Sequence, residues 1–130
     1  MTLTAAAVAA LLVASAQAPL AVADSPTNES IELASEQLVE GRSASAITSL
    51  ERSVEAAPED PALLINLGIA HAQNGDTETA RAMFQRALVS PDVIELETAD
   101  GNAVDSRRLA RKAIRMLEAG EFTTRLSRRD

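Results

Sequence analysis

The chain has 130 residues, a net charge of −7, one histidine, and no cysteine, tryptophan or tyrosine. That length holds one small domain, and without cysteine it has no disulfide bracing, thiol redox chemistry or cysteine-ligated metal. The charge is segregated, −11 over residues 24–100 and +4 over 101–130, and an acidic body of this kind speaks against nucleic-acid binding, which calls for a broad basic face.

The chain opens on an uncharged apolar run, Leu3 to Val13, followed by small residues through Ala23. The pattern is that of a secretory leader, with Ala21-Val22-Ala23 as the small-x-small cleavage site and Asp24 as the mature start. The alternative is an uncleaved anchor, since the run approaches the roughly 20 residues that span a bilayer. Gln17, Pro19 and the many alanines weaken that alternative. The expected location is therefore the periplasm or the exterior, with an inner-membrane anchor as runner-up. Eleven arginines against one lysine point to a GC-rich bacterial genome.

Residues 24–28 are expected to be a disordered lead. Beyond them, Ile31, Leu33, Ala34, Leu38 and Val39 share the face of a helix over about 29–40, and Gly41 ends it. Ala46, Ile47, Leu50 and Val54 mark a second helix, which Pro58 stops. Asp60 is a good N-cap and Pro61 suits the first turn of a third helix, whose apolar residues are Leu63, Leu64, Leu67, Ile69 and Ala70. Gly75 closes it. Asp76 caps a fourth helix over 77–89, carrying Ala80, Met83, Phe84, Ala87 and Leu88 as far as Pro91. Residues 93–98 then alternate apolar and polar, Asp100-Gly101 is a hairpin-turn pair, and Ala103-Val104 fits a return strand. The segment 93–104 is expected to be a small hairpin or an ordered loop. Asp105 or Ser106 caps a last helix over 105–120, with an apolar arc of Leu109, Ala110, Ala113, Ile114, Met116 and Leu117. Residues 121–130 are expected to be a frayed basic tail.

The helices repeat. Slid along itself until Leu33 lies on Leu67, the chain also lays Ala34 on Gly68, Gly41 on Gly75, Ala46 on Ala80 and Leu50 on Phe84. The second unit reads Leu64-x2-Leu67-Gly68-x2-His71, then Ala80-x3-Phe84, Ala87 and Pro91. The first reads Ser30-x2-Leu33-Ala34-x2-Gln37, then Ala46-x3-Leu50, Ser53 and Pro58. Both resemble the tetratricopeptide repeat. The resemblance implies an all-α fold: a short helical solenoid of two helix-turn-helix units, degenerate over 29–58 and well formed over 59–92. Two units are fewer than the three a stable stack needs, so the amphipathic helix at 105–120 is expected to serve as a C-terminal cap with a polar outer face.

The same resemblance implies a non-catalytic protein-binding or scaffolding module. Its concave groove would be lined by Ile31, Ser35, Ile65, Asn66, Ile69 and Gln73 and would take a peptide or protein partner. Asn66 matches an asparagine that some family members use to clamp a terminal carboxylate, but Ile31 and Ser35 stand where lysine and asparagine would be needed, so no clamp is expected. Arg107, Arg108, Arg111, Lys112 and Arg115 form a basic face on the last helix. That face is either a solvated surface balancing the acidic repeats or a contact for an acidic partner or anionic lipid. His71, alone of its kind, lacks the companions of a catalytic triad or a zinc site. Glu95, Glu97, Asp100, Asn102 and Asp105 miss the spacing of a calcium loop. No catalytic residue, metal or cofactor is expected. The runner-up is an envelope helper tethered by its N-terminal segment or its basic helix.

Overall fold

The computed structural model describes residues 13–15, 26–98 and 100–122. Among the described residues, five helices carry the fold: α1 (Pro26–Val39), α2 (Ser43–Ala56), α3 (Pro61–Gln73), α4 (Thr77–Val89) and α5 (Ser106–Glu118). They form two antiparallel helix pairs, α1–α2 and α3–α4, and α5 packs on α4 and α3 as a third layer. A small antiparallel sheet accompanies them, in the order β1 (Val13–Ser15), β2 (Glu95–Thr98), β3 (Ala103–Asp105).

Several helix boundaries have a local cause. Gly41 and Gly75 sit at φ 79° and 86°, a left-handed conformation that costs glycine nothing. Each closes its helix with the same paired bonds. Gly41 N–H donates to Leu38 O and Arg42 N–H to Gln37 O; Gly75 N–H donates to Ala72 O and Asp76 N–H to His71 O. These are the two bonds of a Schellman closure, made once in each repeat unit at matching positions. Three helices start on an aspartate that accepts from its first turn. Asp60 accepts from Ala62 N–H at 2.9 Å, Asp76 from Thr79 N–H at 3.1 Å and Asp105 from Arg108 N–H at 2.9 Å.

The core follows the repeat. Ala34, Ala46, Leu50, Ala80 and Phe84 are all fully buried. Gly68 lies under the Phe84 ring, so close that an added Cβ would stand 2.4 Å from Phe84 Cε1. The small residue at this position thus admits the aromatic ring itself, not only the neighbouring backbone. One register position breaks the symmetry. Leu67 is 3% exposed, whereas its counterpart Leu33 is 47% exposed. Helix α3 follows α2 in the stack, while no helix among the described residues precedes α1.

Of the two forms expected at 93–104, hairpin or ordered loop, the hairpin is the one present. β2 pairs with β3 through Leu96↔Val104, and Gly101 turns the chain at φ 83°. Three departures from the sequence reading concern the ends. Helix α1 begins at Pro26, so residues 26–28 are helical and not a disordered lead; proline suits the first helical turn, where an N–H is not needed. Asp24 and Ser25 lie outside the described residues. Glu121 and Phe122, read as the start of a frayed tail, are helical. Phe122 is fully buried and stacks on Phe84 with centroids 6.3 Å apart. Residues 123–130, the rest of that tail, lie outside the described residues. Within the segment read as a leader, Val13–Ser15 is strand β1, paired antiparallel to β2 through Ala14↔Glu97. The rest of residues 1–23 lies outside the described residues.

Candidate protein-binding face

At 100° per residue, Ala62, Ile65, Asn66, Ile69 and Gln73 form one stripe along α3. The opposite side carries His71, whose Nε2 stands 3.9 Å from Glu51 of α2 and whose Nδ1 stands 3.8 Å from Asp76. The stripe therefore points away from α2. Such a surface would ordinarily be open, yet every member of it is buried, with Ile65, Asn66 and Ile69 at 0% exposure and Gln73 at 6%. Among the described residues, two neighbours cover it. Helix α1 packs against α3, and β1 packs against both α1 and α3. Ile31 of α1 is buried as well, and Ser35 is half-buried with its Oγ sequestered from solvent. The six residues assigned to the groove thus come together on the faces of α1 and α3, but as the floor of a covered surface.

The five basic residues separate into two groups. Arg107 is half-buried and structural, and its Nη2 donates to Ser90 O at 3.1 Å. Ser90 in turn donates from Oγ to Glu59 O at 2.6 Å, and Arg86 donates to Pro58 O at 2.9 Å. This set of bonds ties the ends of α4 and α5 to the turn between the two units. Sequence reasoning assigned Arg107 to the solvent-facing set because charge at helical spacing does not reveal a carbonyl within reach. Arg108, Arg111, Lys112 and Arg115 are exposed. Arg108, Lys112 and Arg115 line one wall of a cleft of about 240 Å³, and Thr98, Asp100 and Asn102 of the hairpin line the other. Asp100 is held below the ordinary carboxylate range, chiefly by the hydrogen bond from the Thr98 hydroxyl.

No group of three or more metal-ligating side chains occurs among the described residues, and no described helix is long and apolar enough to cross a membrane. Phe122 and β1 escaped the sequence reading. The signal for Phe122 was a lone aromatic just past a helix-ending glycine; for β1 it was a β-branched residue inside an alanine-rich run, too short a pattern to stand out.

Paired antiparallel helices of similar length, joined by identical glycine closures and stacked in register, define a helical-repeat solenoid. The family model for the tetratricopeptide repeat matches residues 31–92, and the two helix pairs over that span are tetratricopeptide repeats. No curated protein and no solved structure matches it. Repeats of this family mediate protein–protein contacts, and they are as a rule not catalytic.

Proposed function

We propose that the chain is a non-catalytic protein-binding module of the cell envelope, exported by its N-terminal segment and released by cleavage after Ala23. The observation that carries the reading is the family match over two stacked helix pairs whose inner faces are apolar. An apolar face ringed by an acidic exterior fits a polypeptide ligand better than a small polar substrate, because its stabilisation comes from desolvated area. The uncharged run before Asp24 supports export, and the arginine-rich basic complement supports a bacterial source.

Two measurements test this. Intact mass of the protein recovered from the envelope fraction should correspond to a chain starting at Asp24; retention of residues 1–23 would replace release with an anchor. Cross-linking of the tagged chain in its native envelope should yield one partner at stoichiometric level. A chain that remains uncross-linked, alone and monomeric, would sink the binding reading.

A further inference from the structure

The covered face of α1 and α3 is covered in part by a piece of the chain that differs in kind from the rest. β1 has three residues, Val13–Ser15, and it is an edge of the sheet, paired to β2. Its sequence neighbourhood is uncharged from Thr2 to Ala23. It lies in the same segment whose removal the export reading requires.

The backbone directions in β2 show what β1 occupies. Thr98 N–H donates to Asn102 O, and Thr98 O accepts from Gly101 N–H, so the peptide groups of Thr98 face β3. Ile94 O accepts from Ser106 N–H on the same side. Successive residues of a strand direct their peptide groups to opposite edges, so those of Glu97 and Glu95 face β1. Glu97 is the partner of Ala14 in the register. With β1 gone, the Glu97 N–H and C=O become an open edge, which is a template for another extended chain. β1 also packs against α1 and α3, whose buried Ile31, Ile65 and Ile69 share one apolar core with Leu96 of β2.

We propose that β1 is a resident occupant of a strand-addition site, and that the site's exchange partner is an extended, uncharged segment of another protein. That segment is rich in small and β-branched residues and enters antiparallel to β2. The proposal rests on the protein-binding reading and specifies where and how the partner sits. The chemistry of the occupant is read from the one the site already holds, Val-Ala-Ser within an uncharged run. Charge agrees with it: Glu95 and Glu97 are exposed on β2, so an acidic strand would be repelled at the edge. A short strand makes few ladder bonds, so it exchanges readily once its covalent tether is cut. While the tether is intact, the resident strand competes at an effective concentration on the order of millimolar.

The test uses the full chain with a protease site placed between Ala23 and Asp24, before and after nicking. The probe is a fluorescent peptide spanning residues 8–20, solubilised by terminal lysines and followed by anisotropy. The nicked chain should take up the peptide at one equivalent, and the intact chain should bind it about tenfold more weakly or worse. Glu97→Pro removes the edge N–H while leaving the β3 ladder and an exposed side-chain position; it should abolish uptake with an unchanged helical melt. Glu97→Lys keeps the N–H and should retain uptake. A nicked wild-type chain that takes up no peptide overturns the proposal, and so does equal uptake by the proline variant. A native partner that cross-links equally to wild type and Glu97→Pro also overturns the edge while leaving the binding reading standing. The absence of any partner removes the binding reading itself.

Discussion

Phe84 and Gly68 are one structural unit. The ring fills the space that a side chain at residue 68 would take, and Phe122 stacks on the same ring. With two aromatics in the whole chain, both spent at one point, the core has little redundancy there. Phe84→Ala is expected to cost about 3–5 kcal/mol, the usual loss for a buried aromatic, read from denaturant unfolding. Gly68→Ala is expected to cost about 1–3 kcal/mol through overpacking. Combining it with Phe84→Leu should cost less than the sum of the two single changes, because the smaller side chain relieves the clash; strict additivity would mean the two residues do not touch. The sequence pattern assigned both residues to the fold, and the structure adds that they are in contact.

At the scale of elements, the chain marks its helix ends with residues whose chemistry is local. Asp60, Asp76 and Asp105 cap, while Gly41 and Gly75 close, and all of these were legible because each acts on its immediate neighbours in the chain. Asp76 also carries a pH signature. Its carboxyl is held below the ordinary value by the Thr79 side-chain and backbone hydrogen bonds, with a smaller contribution from His71. A carboxyl whose folded pKa is depressed stabilises the native state fully above its unfolded value, near about 4. That contribution is lost as pH falls through the lower folded value. Melting curves of wild type and Asp76→Ala should therefore differ at neutral pH and converge in strong acid. Asp76→Asn keeps the cap without the titration and should show a shallower acid dependence than wild type. A gap between wild type and the alanine variant that stayed constant from neutral pH to strong acid would mean the carboxylate is not the stabilising group. The ends of the chain were less legible. The burial of Phe122 depends on the Phe84 ring of α4, with β2, β3 and α5 lying between them along the chain. The pairing of β1 depends on β2, which follows only after four helices. No local window contains either partner.

Across the whole molecule, two repeat units are closed at one end by α5 and the stacked Phe122. Helix α5 buries Leu109, Ala110, Ala113, Met116 and Leu117, so it supplies the layer that a third unit would otherwise provide. Removing residues 105–130 exposes that surface and takes Arg107 from Ser90. The truncated chain is expected to aggregate or to lose its cooperative melt, as seen by sedimentation and circular dichroism. A monomeric truncation melting like the parent would show that α4 needs no cap. The other end is unlike this one, since Leu33 and Val39 remain about half exposed on α1.

The sequence by itself determined the repeat, its register and the helix boundaries inside the two units, because period, caps and breakers are properties of neighbouring residues. Only the tertiary structure decided the state of the inner face. Ile31, Ile65, Asn66 and Ile69 carry the same pattern whether the face is open or covered, and the covering strand comes from a distant segment. Arg107 makes the same point among the charges. Its bond to Ser90 is set by where two helices end in space, so it is a structural tie among residues that spacing alone assigns to the surface.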